Sequence, residues 1–520
     1  MSTSGAAGWR RLDPRIVVAT AVWCALLGVV ALAVLWWRDA PWWLYAAVPP
    51  AALGLPAYEG VRWHRTTYRL TSERVELRTG VAVRSHRSVP RQRIRSVDVS
   101  ANPVHRLLGI RTVRIGTGHH VGSGQDAVLT LDALAVRDSD ALGERLLRGR
   151  GAGEDGGGRV TLARIRWGWL RFAPLSVVPL LLGLSAVGGL HNLLDLLGAE
   201  PDTVLVPRLI SWLTGSADLL TVVPLVVLAV LATGVVGALG LYVEMWWDFR
   251  LTREPNGTLR AARGLVVTRS VSLEEERLRG VEIAEPLLLR RGGGACTYAV
   301  ATGAGTVEEE TRGHDSSALL PPAPLAEAHR VAAAVLGEDR DPTESVRLLP
   351  HTRHALRRML RLVLLTGLGL GGVLVLLGAL LTPVLVHAGW LAALVVWAVG
   401  TPFAVDAHRN LGHGVTGRHL VTRHGTLKRR TIALRRDGVI GWNITQWAWH
   451  RRSGLSRLTV TTAGGRGAYH VKDVLLPEGL RFADEAVPGL LEPFLVRTPV
   501  VPGPRTARGL GPRPHAEGAP

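Results

Sequence analysis

The chain has 520 residues and two cysteines, Cys24 and Cys296. Cys24 falls in a long apolar run and Cys296 in a soluble stretch, which excludes a disulfide framework and a cysteine-based metal site. Lysine is nearly absent, so almost all of the 61 basic residues are arginine, and five phenylalanines stand against seventeen tryptophans. There is no Gly-x-Ser-x-Gly, no phosphate loop ending in Gly-Lys-Ser/Thr and no His-Glu-x-x-His. The common hydrolase, nucleotide-binding and zinc-peptidase signatures are therefore missing. His119 and His120 adjoin no acidic or cysteine partner at ligand spacing and read as a solvated loop. Glu308, Glu309 and Glu310 read as a solvated edge. The expectation is a non-enzyme without cofactor or metal.

What is present is segregated. Mean hydropathy is +0.20 although 20% of residues are charged. Both hold only if apolar and charged residues occupy separate blocks, as in a membrane protein with soluble modules. Six apolar runs fall in three pairs: 16–36 and 41–58, 172–190 and 219–243, 362–381 and 384–405. The run 41–58 contains Pro49, Pro50 and Pro56, and a kinked or re-entrant return is its alternative. Gly367 and Gly371 have the spacing of close helix packing. Trp36, Trp37, Trp42, Trp43, Trp167, Trp169, Trp246 and Trp247 cluster at run ends, where an interfacial belt lies.

Arginine sets the orientation. Arg10, Arg11 and Arg15 precede the first run, and Arg62, Arg65 and Arg69 follow the second. Arg159, Arg164, Arg166 and Arg171 precede the third, and Arg347, Arg353, Arg357, Arg358 and Arg361 the fifth. The hairpin loops hold Arg38, Arg208 and, in the third, no basic residue. The expected protein is multi-pass in the plasma membrane, with both termini and every large soluble segment cytoplasmic and the 191–218 loop outside. Charges inside the runs are nearly absent; His387 and Asp406 lie near run ends, which weighs against a transport pathway.

The soluble segments repeat. With Gly80 set on Gly425, Thr71 falls on Thr416, Val75 on Leu420, Ile94 on Val439, Arg106 on Arg451 and Gly109 on Gly454 without a gap. The middle copy fits more loosely: Gly264 stands for Gly80, Leu278 for Ile94, Val281 for Val97, Arg290 for Arg106 and Gly293 for Gly109. Alternating strands flank the Thr79-Gly80 turn, and Gly109 and its equivalents mark the turn into another strand. Each copy ends in a helical pattern, over 139–147, 324–336 and within 477–495. The predicted fold is α+β: three transmembrane helix pairs, each followed by a small antiparallel β-barrel or sandwich closed by a C-terminal helix. The expected order is a cytoplasmic N-terminus 1–15, helix pair 16–58, module 59–150, linker 151–171, helix pair 172–243, divergent module 244–338, linker 339–361, helix pair 362–405, module 406–497 and disordered tail 498–520.

Tyr68, Leu70 and Thr71, then Thr79 and Gly80, then Val89, Pro90, Ile94, Ser96 and Val97, then Arg106, Leu107, Leu108 and Gly109 form a recognisable series. It resembles the bacterial pleckstrin-homology-like (PH-like) domain of membrane proteins, the YdbS/YdbT-like group. The resemblance covers nearly the whole chain except the tail. It implies several PH-like modules, each following a helix pair, and no established catalytic activity. The middle copy departs at Glu274, Glu275 and Glu276, and with "RRGGGAC" where Leu-Leu-Gly-Ile stands elsewhere.

A formal net charge of +19 suits an anionic surface. One basic cluster falls in each module: Arg91, Arg93, Arg95 and Arg106; Arg290 and Arg291; Lys428, Arg429, Arg430, Arg435 and Arg436 with Arg451 and Arg452. These are candidate contacts for anionic headgroups or an acidic protein, set against generic positive-inside charge. Nucleic acid is disfavoured, because copies one and two interleave no aromatics on a basic strand face. The expected function is binding or scaffolding at the inner membrane face, in envelope stress or toxin tolerance, with the bilayer and a membrane-associated protein as partners and the oligomeric state open. The alternatives are a subunit of a transport or enzyme complex whose active partner is another chain, and an anionic-lipid sensor. Reporter fusions within 60–150 are expected to report a cytoplasmic location; an external location would overturn this topology.

Overall fold

The computed structural model describes residues 8–71, 73–80, 84–91, 94, 96–116, 128–139, 142, 159–196, 219–255, 257–302 and 317–494. Among the described residues, six long helices pack as three pairs: Arg15–Trp37 with Trp42–Arg65, Val178–Leu196 with Leu219–Trp246, and Arg353–Leu381 with Pro383–Arg409. Five of them are long and apolar enough to cross a membrane; Trp42–Arg65 falls short. That helix runs through Pro49, Pro50 and Pro56. Its last turns are polar because they dock on the soluble part: Arg62 Nη2 donates to Glu59 Oε1 at 2.8 Å and to Asp132 Oδ2 at 2.9 Å. The helix expected from residue 172 begins at Val178, since Trp169 and Phe172 are buried in a soluble core instead. The helix expected from residue 362 begins at Arg353, and its first turns are held by Arg358, which donates to Asp473 Oδ2 at 2.6 Å.

The strands alter the expected boundaries. In module 1 they are β1 (Arg10–Arg11), β2 (Thr67–Leu70), β3 (Arg74–Thr79), β4 (Ser85–Pro90), β5 (Ser96–Ala101), β6 (Ile110–Gly116) and β7 (Val128–Ala135). Module 2 has β8 (Val160–Arg164), β9 (Arg250–Glu254), β10 (Thr258–Arg263), β11 (Thr268–Glu274), β12 (Leu278–Pro286), β13 (Gly294–Ala301) and β14 (Ala318–Pro324). Module 3 has β15 (Leu349–Pro350), β16 (Gly412–Thr416), β17 (His419–His424), β18 (Lys428–Arg435), β19 (Val439–Thr445), β20 (Leu455–Thr462) and β21 (Ala468–Leu475). The N-terminus 1–15 and the linkers 151–171 and 339–361 thus each supply a first strand. β1 pairs with β2, β8 with β9 and β15 with β16, so every helix pair is inserted between the first two strands of its module.

Nor are the modules separate barrels. Each is a half-sheet of four strands facing a half-sheet of three, and the half-sheets run on into the neighbouring module. The order β7-β6-β5-β11-β10-β9-β8 is one seven-stranded sheet, and β14-β13-β12-β18-β17-β16-β15 is another. The ends of the series are the four-stranded β1-β2-β3-β4 and the three-stranded β19-β20-β21. The two seams, β5–β11 and β12–β18, have the same register under the internal repeat: Ser96 lies opposite Leu273, and its equivalent Gly280 opposite Leu434.

Each module keeps its own core between its two half-sheets. Val75, Val97 and Ile115 belong to the first, Leu251, Val281 and Ile283 to the second, and Leu434, Val460 and Phe482 to the third. Along the second seam the two sheet faces serve different cores. Val281 and its partner Ala433 face the core of module 2, whereas Ile432 and Leu434 face that of module 3. β12 is therefore buried along nearly its whole length. Burial on both faces is the pattern of an interior strand, and it removes apolar surface from water twice over.

The expected turn glycines are in place. Gly80, Gly264 and Gly425 all have positive φ, and a Cβ on Gly264 or Gly425 would collide with the carbonyl of Val267 or Lys428. Gly109, Gly293 and Gly454 sit in the left-handed region directly before β6, β13 and β20. The closing helices of modules 2 and 3 are Leu325–Leu336 and Leu476–Ala486. In module 1 residues 136–139 are helical and Leu142 is buried; the rest of 139–147 lies outside the described residues, as do 197–218 and the tail 498–520.

In module 3, His351 Nε2 and His413 Nδ1 are 3.0 Å apart, and His413 packs against Phe482. Burial pushes both imidazoles down to about 4, and for His413 the neighbouring His351 adds to it. An unfolded chain protonates both rings below about 6.5, and the folded chain does not, so their contribution is full above that pH and lost as pH falls towards 4. The unfolding temperature of the detergent-solubilised protein should fall by several degrees across this window, and His413→Asn should flatten the slope.

Candidate functional site

A basic pocket of about 350 Å³ lies at the seam between modules 1 and 2. Module 1 contributes the end of β5, Arg106 from the short helix Pro103–Leu107, and Arg111 at the start of β6. Module 2 contributes Arg260 and Arg263 from β10 and Arg269 from β11, with Trp247 and Asp248 just past the helix Leu219–Trp246. Five arginines and one aspartate thus line the pocket. That carboxylate is already engaged, since Asp248 Oδ1 accepts from Arg250 at 2.9 and 3.0 Å.

Neutral partners hold several of the arginines. Arg106 Nη1 donates to the carbonyl of Leu265 at 2.9 Å, and Arg260 Nε to Ser270 Oγ at 2.9 Å, while Arg260 Nη1 lies 3.7 Å from Glu254 Oε1. The Arg263 guanidinium lies 4.2 Å from the ring centroid of Trp246. Arg263 and Arg269 are direct cross-strand partners on β10 and β11. At the rim, Trp247 packs edge-on against Trp167 at 5.2 Å, and both are partly exposed, as aromatics at a bilayer interface are.

The second seam is built differently. Glu282 and Glu285 are buried on β12, Glu285 directly opposite Arg429 of β18 and Glu282 opposite Ile432. Arg429 Nε donates to Glu285 Oε1 at 2.8 Å, and its Nη2 to the other oxygen. Glu282 lies 3.5 Å from Arg430 and accepts from Arg466 Nη2 at 2.7 Å. Arg290 forms a two-oxygen pair with Asp406, at 2.9 and 3.0 Å, tying module 2 to the end of the third helix pair.

These geometries sort the residues singled out in the sequence. Arg106 enters the pocket. Arg290 is turned inward, as are Arg429 and Arg430 of the third cluster. Arg435 binds Asp437, Arg436 donates to the carbonyls of Gly417, Glu485 and Ala486, and Lys428 lies over the Tyr298 ring. Arg291, Arg451 and Arg452 are exposed, and Arg91 is half-buried at the end of β4, its amide bonded to the Glu73 carbonyl. Arg93 and Arg95 lie outside the described residues. The basic residues of a given module therefore do not form one surface.

The half-sheets, the turn glycines and the helix insertions meet a specific match at this point. The family model for the bacterial PH domain matches residues 12–150 and 363–486, half of the chain. The chain belongs to the bacterial PH domain family. Two repeats are matched, as expected for a YdbT-like protein carrying the domain repeatedly. The divergent middle module lies outside the matched residues but has the same strand series and the same seam register. Neither the curated proteins nor the solved structures gave a match.

Sequence reasoning missed Arg111, Arg260, Arg263 and Arg269 because the pocket joins strands from two modules. The available signal was the Arg263–Arg269 pair flanking the Gly264 turn. It also missed Glu282 and Glu285, which stand in the buried stretch of β12 among Val281, Ile283 and Ala284. Glu285→Ala should lower stability by about 3–5 kcal/mol by leaving Arg429 uncompensated. Arg452→Ala on the surface should change it by less than about 0.5 kcal/mol. Thermal unfolding of the two variants in detergent compares them directly.

Proposed function

We propose that this PH-domain protein is a multi-pass scaffold of the cell membrane, with its modules at the inner face, and that it binds the anionic headgroup of a phospholipid in the arginine pocket between modules 1 and 2. The observation that carries this reading is the concentration of five arginines in one pocket, where Asp248 is already paired with Arg250 and Glu254 approaches Arg260 alone among the five, rimmed by Trp247 at the end of an apolar helix. A phosphate accepts several guanidinium hydrogen bonds at once. Negative surface potential on the cytoplasmic leaflet would add to the attraction. The scaffold component is supported by the two shared sheets, which join three modules and their helix pairs into one continuous surface. Such a surface can hold a protein partner at a set distance from the bilayer.

The test uses the full chain in nanodiscs containing phosphatidylcholine with or without phosphatidylglycerol. Native mass spectrometry should show retained phosphatidylglycerol, and Arg263→Gln with Arg269→Gln should reduce it several-fold while leaving phosphatidylcholine unchanged. Equal retention by the variant would overturn the pocket assignment. Displacement by inorganic phosphate without any lipid preference would assign the pocket to a soluble anion.

A further inference from the structure

The internal joints of this chain leave two complementary ends. β4, β11 and β18 occupy the same place in the repeat, and so do β5, β12 and β19. In the series β5–β11 and β12–β18, the second kind of strand pairs with the first kind from the next module. Among the described residues, β4 has β3 as its one strand neighbour and β19 has β20. Each is the type of strand to which the other type pairs twice within the chain.

The register makes the match specific. Transferred from both seams, it sets Gly441 opposite Val89, Trp442 opposite Ser88, Ile444 opposite His86, and Thr445 opposite Ser85. In the first seam Val97 faces Ser272 and Val99 faces Ser270; in the second Val281 faces Ala433 and Ile283 faces Thr431. A large residue thus meets a small one at the first of these positions in both seams, and Trp442 against Ser88 repeats it. The transferred register ends at Val89, so Pro90, which has no amide to donate, falls outside it.

Burial separates the joined edges from the unjoined ones. β12 is buried along nearly all its length, whereas its equivalent β19 has no buried residue, and Ile440 on it is 61% exposed. His86 and Ser88 on β4 are exposed, whereas Ala433, the equivalent of Ser88, is fully buried. The arginine series agrees. Arg106 reaches the carbonyl of Leu265 in the next module and Arg290 reaches Asp406, but Arg451, third in the series, is exposed. The place of module 2's half of the pocket is also repeated at the unjoined end, with Glu76, Thr79 and Ser85 in the positions of Arg260, Arg263 and Arg269 and the positive charge supplied instead by Arg65, Arg78 and Arg84. His64, Gly80, Arg84, Ser85 and His86 stand where Asp248, Gly264, Thr268, Arg269 and Ser270 stand, and they line a wider cavity of about 670 Å³.

We propose that the protein assembles head to tail with further copies of itself, β19 of one copy adding to β4 of the next in the register of the internal seams. This contact is heterologous, so it closes into a ring or continues as a row. All copies cross one bilayer, which confines growth to the membrane plane. Each new seam buries the exposed strand edges, satisfies their backbone groups and completes a basic pocket. The proposal does not depend on which membrane face carries the modules or on what the pocket binds.

The experiment places Ser85→Cys and Thr445→Cys in the full chain and oxidises it in its native membrane. Both changes are small, and the two native cysteines are buried. The expected result is a disulfide-linked ladder at multiples of the monomer mass, abolished by reduction and absent from either single variant. The shifted pair Ser85→Cys with Asn443→Cys should give several-fold less. A monomer-sized internal disulfide, equal yields from both pairs, or no cross-link would overturn the proposal. A variant that fails to fold does not rescue it, because the unmodified protein extracted in polymer nanodiscs should also exceed monomer mass, and a monomer there would overturn it.

Discussion

Backbone hydrogen bonding between half-sheets of successive modules is the interaction on which the rest of this structure depends. A three-stranded half-sheet has an edge of unsatisfied amides and carbonyls, and such an edge must be covered, paired or left to water. Here β5 pairs with β11 and β12 with β18, and each joint converts two edges into the middle of a seven-stranded sheet. The sheet then serves two cores, one on each face. That requires apolar residues on both sides of the joined strands, which is why β12 carries Val281 and Ile283 towards one core while β18 sends Ile432 and Leu434 towards the other. The buried carboxylates Glu282 and Glu285 are tolerated in this interior because arginines from the partner strand and from Arg466 meet them at hydrogen-bond distance.

The joints also govern the membrane part. Each helix pair enters and leaves through adjacent strands, β1 and β2, β8 and β9, or β15 and β16. The ends of a pair are therefore held at strand spacing, and the pairs are held relative to one another by the shared sheets. Side chains reinforce the attachment: Arg62 reaches Asp132, Arg358 reaches Asp473, and Arg290 of one module reaches Asp406 at the end of the next helix pair. The arginine pocket follows from the same construction. Arg106 comes from one module, while Arg263 and Arg269 come from a turn that lies against it only because β5 and β11 are paired.

Much of the local structure was legible in the residues. Apolar runs located most helix ends to within a few residues. They failed at 59–65 and 353–361, where charged residues prolong the helices beyond their apolar parts, at 172–177, where Trp169 and Phe172 fill a soluble core, and at 191–196, where the helix continues past the expected end. The internal alignment predicted the turn at Gly80, Gly264 and Gly425 and the strand starts after Gly109, Gly293 and Gly454. Both follow from positive φ, a property of single residues. The first strands were not legible: Arg10–Arg11 and Leu349–Pro350 are two residues each, too short to show alternation, and Val160–Arg164 falls in a stretch read as a linker. The arginines were legible as charge but not as contacts, since Arg429 and the exposed Arg452 look alike until their neighbours are known.

The sequence by itself determined the apolar helices, the threefold repeat, the turn positions and the membership in the bacterial PH family, because each rests on local composition or on residue-by-residue similarity. Only the tertiary structure decided that the modules share sheets, that the helix pairs are inserted after the first strand, and that five arginines from two modules line one pocket. The physical reason is that strand pairing is made by backbone groups, which are the same at every residue. Side chains choose the register and the face, but which edge meets which is settled by the three-dimensional arrangement of half-sheets and cores.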